Sequence, residues 1–201
     1  MTKGPRAVEV LERKALYQDY YRADKYCLRH EQFGGGMGRP IWREVMERGH
    51  AATVLPYDPV RDEVLLIEQF RIGAFTAGHH PWTIEVVAGI VEEGEEPEQV
   101  VRREAMEEAG CTIQELEAIN STFPSVGVVS EYNWLFVGRV DSEGAGGVYG
   151  LDYEDENIKV LVVPRTEAEE MVRQNRITTG QALISLLWLA LNHQDLKARW
   201  T

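Results

Sequence analysis

An α/β fold, in which a mixed β-sheet is covered by helices, is predicted by three features of this chain. Strand-like apolar runs recur through its middle, one well-bounded helix interrupts them between about Glu96 and Ala109, and further helical patterns gather after Thr166. At the front, Val8 to Leu16, Tyr26 to Gln32 and Ile41 to Met46 read as three short strands, with Gly34, Gly35, Gly36 and Gly38 making a turn or loop before the last. This β-rich stretch, residues 1–47, is too small to bury a core by itself, so it is expected to pack on the main domain or on a second subunit. Residues 48–201 are expected to form that main domain. Its strands read as Ala51 to Pro56, Val64 to Gln69, Trp82 to Val91, Glu115 to Phe123, Trp134 to Val140 and Ile158 to Val163. The central helix has Pro97 at its first position, where the missing N–H costs nothing, and Gly110 at a left-handed stop. Thr166 with Glu169, and Thr178 with Gln181, fit capping boxes for two later helices. Leu183, Leu186, Leu187, Ala190 and Leu191 give the second of these an apolar face.

Composition narrows the function classes. The chain has 201 residues, 44% of them hydrophobic, and a net charge of −12. Such an acidic balance argues against nucleic acid or an anionic membrane as the main partner. Cys27 and Cys111 offer no disulfide framework, and Cys111 reads as a core thiol. No signal peptide opens the chain, and the apolar run Ala182 to Leu191 is too short to span a bilayer, so a cytoplasmic protein is the expectation.

The acid is concentrated where chemistry is expected. Between Gly89 and Cys111 the chain reads GIVEEGEEPEQVVRREAMEEAGC, with eight Glu against two Arg, half of the whole chain's excess. On a helix, Glu104, Glu107 and Glu108 share one face. Three like charges so close repel, and a divalent cation is the simplest way to hold them together. Arg103 can steer a carboxylate, and Glu95 is the expected partner. For a lone E-x-x-E-E, a solvated acidic helix face would be the better reading. The Gly, Glu, Arg and Gly at fixed intervals around this one favour a metal cage.

That pattern is the Nudix box, and the chain resembles Nudix hydrolases, which cut a diphosphate linking a nucleoside to another moiety. The resemblance implies an α/β/α sandwich with the box as a loop, helix and loop beside the sheet. The stretches WREVMERGHAATVLPYDPVRDEVLLIEQFRIGAF from Trp42, WTIEVVAGIVEEGE from Trp82 and GLDYEDENIKVLVV from Gly150 are similar to the ADP-ribose diphosphatase branch. This implies hydrolysis of ADP-ribose, a nucleoside diphosphate sugar, to AMP and ribose 5-phosphate with Mg²⁺, as two or more ions, or with Mn²⁺. It also implies a homodimer that exchanges its N-terminal segment.

Residue roles follow from the same resemblance. The backbone carbonyl of Ala88 with Glu104 and Glu108 would hold metal, Glu107 would add a ligand, and Arg103 would orient the box carboxylates. From the later acidic loop, Glu156 matches a metal-associated position and Glu154 the general base, although the two stay interchangeable as candidates for the base. Arg43 and Arg71 match positions that bind substrate, and Arg suits phosphate because it gives two hydrogen bonds. Tyr20 is the choice for an aromatic platform under adenine, with simple packing an equal alternative. The five histidines show no metal-ligand spacing. One departure concerns specificity: these enzymes usually carry a proline about sixteen residues beyond the box, where this chain has Val126 between Ser125 and Gly127. GDP-mannose hydrolases are therefore the second substrate reading. A Nudix-fold module that binds a nucleotide without cleaving it is the reading from another class, and the presence of every box glutamate speaks against it.

Overall fold

The computed structural model describes residues 7–151, 153 and 155–201. They form two compact units, one of the described residues up to His50 with Phe123–Tyr132, the other of Ala51–Thr122 with Asn133–Thr201.

In the smaller unit, β1 (Val8–Gln18), β2 (Arg22–His30) and β3 (Ile41–Glu47) make an antiparallel sheet in chain order. Charge pairs reinforce its register, Glu9 with Arg29 at 2.7 Å and Lys25 with Glu44 at 3.3 Å. All eleven residues of β1 are exposed, and along the three strands burial reaches Asp24 and Cys27 alone. Arg13 and Arg22 neutralise the Asp24 carboxylate at 2.5 and 3.0 Å. The Phe123–Tyr132 segment docks by its backbone, the Met46 N–H donating to Val128 at 2.8 Å and the Ser130 N–H to Met46 at 3.1 Å. The stretch containing Val126 thus leads into a segment held along β3.

The larger unit is built on a sheet in the order β10 (Gly147–Tyr149), β11 (Ile158–Pro164), β5 (Glu63–Phe70), β4 (His50–Asp58), β9 (Asn133–Arg139) and β8 (Leu116–Thr122). Two further strands, β6 (Trp82–Glu85) and β7 (Val87–Val91), pair with β5 and β4. The alternation of a strand sorts its side chains to two faces. On β5, Leu65 and Ile67 join Val100, Val101, Ala105 and Ala109 of helix α2 (Pro97–Ala109). Val64 and Leu66 join Ala168 and Met171 of α3 (Arg165–Arg173) and Leu186, Leu189 and Leu196 of α4 (Gly180–Trp200) on the other face. A sheet with helices packed on both faces results, as expected. Each fully buried aliphatic side chain contributes about 1.5–3 kcal/mol to this arrangement. No helix among the described residues is long and apolar enough to cross a membrane.

Several boundaries differ from the sequence expectation. The expected strand from Trp82 to Val91 is two strands, because its halves pair with different neighbours. Neither later helix uses its expected capping box. Thr166 lies inside α3, whose start is fixed by Arg165: its N–H donates to the Asp62 carbonyl at 2.9 Å and its guanidinium pairs with Asp62 and with Glu169, the residue expected to cap. At α4 the N-cap is Thr179, not Thr178, and its hydroxyl donates to the Ile84 carbonyl at 3.3 Å. The buried stripe of α4 runs through Ala182, Leu186 and Leu189, leaving Leu187 and Leu191 54% and 85% exposed. A one-turn helix, α1 (Ile72–Thr76), and the short β10 were not expected.

Asp58 closes the turn between β4 and β5. Its carboxylate is 1% exposed and accepts the N–H groups of Val60, Arg61 and Ser142 at 2.8, 3.1 and 3.0 Å, the Ser142 hydroxyl at 2.9 Å and the Arg61 guanidinium at 3.0 Å. Burial alone would raise this carboxyl, but the Ser142 and Arg61 donors outweigh it and bring it down to about 2. The folded state therefore binds fewer protons here than the unfolded chain, and the stability this confers is lost as pH falls from about 4 toward 2. Asp58→Asn is expected to lower stability at neutral pH and to flatten that acid limb in urea titrations between pH 5 and about 2; parallel acid limbs in both proteins would contradict this.

Candidate active site

The acidic helix α2 stops where its sequence says it should. Pro97 opens it, and Gly110 closes it in the left-handed region at φ 60°. A side chain at Gly110 would also collide with Tyr149, since an added Cβ would lie 2.4 Å from that ring. The Gly150 N–H donates to the Glu107 carbonyl at 3.3 Å, so the last turn of α2 and the start of the 150–157 loop are joined.

On its sheet side α2 presses two carboxylates against β7. Glu108 is 3% exposed and accepts the Ala88 N–H at 3.0 Å. Glu104 lies over Gly89, where an added Cβ would fall 2.0 Å from its Oε1. Only glycine leaves room for that carboxylate. Burial pushes the Glu108 carboxyl up to about 8, with the charges of Glu104 and Glu156 adding to the rise and the Ala88 N–H opposing it. Burial likewise pushes Glu104 up to about 7, against the pull of Arg103.

Arg103 differs from expectation. Its guanidinium meets Glu104 at 2.7 Å and its i+4 neighbour Glu107 at 2.9 Å, whereas the expected Glu95 stands at 4.0 Å. Glu95 instead accepts the Glu92 N–H at 3.1 Å and closes its own loop. Glu156 accepts the Leu151 N–H at 3.2 Å, and its charge reaches Glu104, Glu108 and Arg71. Arg71 follows β5 and is clasped by Glu85 at 3.0 and 2.9 Å.

Ala88, Glu104, Glu108, Glu156 and Arg71 are thus gathered on one side of the sheet, with Glu107 and Arg103 beside them. Arg43 and Tyr20 belong to the smaller unit. Arg43 is exposed on β3 and donates to the Trp42 carbonyl at 2.8 Å; Tyr20 is 85% exposed in the turn after β1. Glu154 lies outside the described residues, as does Asp152. Sequence reasoning missed Glu85. The alternation in Trp82-Thr83-Ile84-Glu85 marks a face, but the pairing of β6 with β5 that brings Glu85 to Arg71 leaves no local signal.

Among the described residues, no three acidic, His or Cys side chains already form a closed metal cage. The donor set nevertheless fits a divalent cation. A buried and a half-buried carboxylate with like charge nearby are disfavoured in their ionised form, and hard oxygen donors crowded this way are what such an ion neutralises.

Helix-borne carboxylates pressed on a mixed sheet, with an arginine beside them, define a site suited to metal-assisted work on a phosphate ester. A family model described as the NUDIX domain matches residues 47–182. The chain belongs to the Nudix family, and Nudix hydrolases use divalent metal ions. An ADP-ribose pyrophosphatase of Escherichia coli (strain K12) is 46% identical over 200 residues, covering 100% of this chain and 96% of that protein. The ADP-ribose pyrophosphatase of Haemophilus influenzae is 40% identical over 196 residues, 96% of this chain and 90% of its own length. A GDP-mannose pyrophosphatase of Salmonella choleraesuis is 38% identical over 153 residues, 75% and 78% of the two chains. A solved structure titled an ADP compounds hydrolase superposes with a TM-score of 0.71 at 16% identity, covering 98% of each chain, and supports the fold.

The raised carboxyls set a pH dependence. Without metal, the folded protein keeps protons on Glu104 and Glu108 that the unfolded chain releases above the ordinary value of 4.5, so their contribution to stability is lost as pH rises through about 7 and 8. Chelator-treated protein should melt at progressively lower temperature from about pH 5 to pH 8, and Mg²⁺ should raise the melting temperature more at pH 8 than at pH 6. Glu108→Gln should weaken both effects; an unaltered pH trend in that variant would remove Glu108 as their source.

Proposed function

We propose that this chain hydrolyses the diphosphate of ADP-ribose, giving AMP and ribose 5-phosphate, in a Mg²⁺-dependent reaction. The observation that carries the reading is identity of 46% along the full chain with an ADP-ribose pyrophosphatase. In this reading the Ala88 carbonyl, Glu104 and Glu108 hold metal, with Glu107 and Glu156 as further ligands. Arg103 keeps the Glu104 and Glu107 carboxylates oriented. Mg²⁺ held there, as two or more ions, would supply positive charge against the diphosphate and lower the pKa of a bound water. Glu154 takes the proton from the attacking water. Arg71 and Arg43 bind the diphosphate, and Tyr20 stacks on the adenine.

The working unit in this proposal is a homodimer in which residues 1–47 serve the partner's site. The support is physical: a three-strand sheet with a fully exposed β1 and two buried strand residues lacks an interior and requires cover. GDP-mannose is the second substrate reading, favoured by Val126 and by the 38% identical GDP-mannose pyrophosphatase.

A panel of ADP-ribose, GDP-mannose, NADH, diadenosine polyphosphates and an oxidised dNTP separates these readings. The highest kcat/KM is expected for ADP-ribose, and a much higher value for GDP-mannose would reassign the substrate. Glu154→Gln should depress kcat by on the order of 10² to 10⁴ with little change in metal affinity. Glu108→Gln should instead lose activity that added Mg²⁺ partly restores. Equal, metal-rescued losses in both would show that Glu154 is not the base. For the dimer, inactive Arg43→Ala and Glu108→Gln proteins should regain activity when their subunits exchange, and a monomer in sedimentation would end the shared-site reading.

A further inference from the structure

Arg71 is held along one edge. Its Nε donates to Oε1 of Glu85 at 3.0 Å and its Nη2 to Oε2 at 2.9 Å. The Thr83 hydroxyl donates to the same Oε1 at 2.5 Å, and the Arg71 N–H is fixed to the Pro81 carbonyl at 2.7 Å. Glu85 is 12% exposed. It pairs with Ile67 across the sheet and Thr83 pairs with Gln69, so both point to the face that carries α2. A guanidinium has five N–H donors, and this clasp uses two of them. Three remain on the edges turned away from Glu85, in the fork that matches a phosphate.

Arg71 also feels other carboxylates. Glu108 and Glu156 both act on its charge, and Glu108 is a buried carboxylate that accepts the Ala88 N–H. A guanidinium released from Glu85 would be free to turn toward those carboxylates and compete with a cation for their oxygens.

We propose that Glu85 is a positioning residue for the hydrolysis: backed by Thr83, it aims the open edges of Arg71 at the substrate diphosphate and holds Arg71 off the metal-binding carboxylates. The proposal rests on the reading of Arg71 as a diphosphate ligand. In this role Glu85 acts through Arg71, and preorganising that side chain lowers the ordering cost of binding.

The test combines a double-mutant cycle with Mg²⁺ titration, using whichever nucleoside diphosphate sugar the wild-type protein cleaves best. Glu85→Ala should raise KM on the order of tenfold with a smaller change in kcat, and should move the Mg²⁺ activation curve to higher concentration. Glu85→Gln keeps the volume and one acceptor, so it should fall between wild type and Glu85→Ala; it carries the test if thermal melting shows the alanine variant unfolded. Arg71→Ala should raise KM at an unchanged Mg²⁺ curve. Adding a Glu85 substitution to Arg71→Ala should raise KM no further and leave the Mg²⁺ curve at the wild-type position. Additive losses in the double variant would overturn the positioning role while leaving Arg71 as a ligand. A wild-type KM for Arg71→Ala would overturn the reading of Arg71 and the proposal with it.

Discussion

The larger unit is organised around negative charge that has been taken out of water. Glu108 reaches the backbone of β7 at the Ala88 N–H, and Glu104 lies where Gly89 has no side chain. Both require α2 to lie close against the sheet, which the small Ala105 and Ala109 allow. Both also require cations nearby, and the chain supplies Arg103 on one side and Arg71 on the other. Neither arginine neutralises the pair fully, since burial still holds both carboxyls well above the ordinary range. Apolar packing thus places the charges, and their incomplete compensation creates the demand for a bound ion.

Much of this was legible because it is local. The limits of α2 follow from Pro97 and Gly110, and the shared face of Glu104, Glu107 and Glu108 follows from helix geometry alone. What escaped was set by contacts distant in sequence. Thr179 bonds to Ile84, Arg165 to Asp62, and Arg71 to Glu85, so capping signals at Thr166 and Thr178 lost to partners that no window of sequence contains. Leu187 and Leu191 satisfied an apolar pattern, yet the buried stripe of α4 runs through Ala182, Leu186 and Leu189 and leaves both exposed.

The smaller unit shows a different balance. Its strands are set by charged pairs and by backbone bonds to the Phe123–Tyr132 segment, and its apolar side chains contribute little because few are removed from water. Asp24, clamped between Arg13 and Arg22, is its most secluded charge. Such a sheet keeps its register through polar contacts while much of its apolar surface stays exposed.

The meeting of Gly110 with Tyr149 bears on how this protein can vary. Gly110 answers to two demands at once, a left-handed backbone and clearance for a ring, so trimming Tyr149 would relieve the second and leave the first. Drift at this position is therefore closed to single steps. The helix stop and the start of the loop after Tyr149 thus form one block, because the ring beside Gly110 and the Gly150 bond to Glu107 fix where that loop departs.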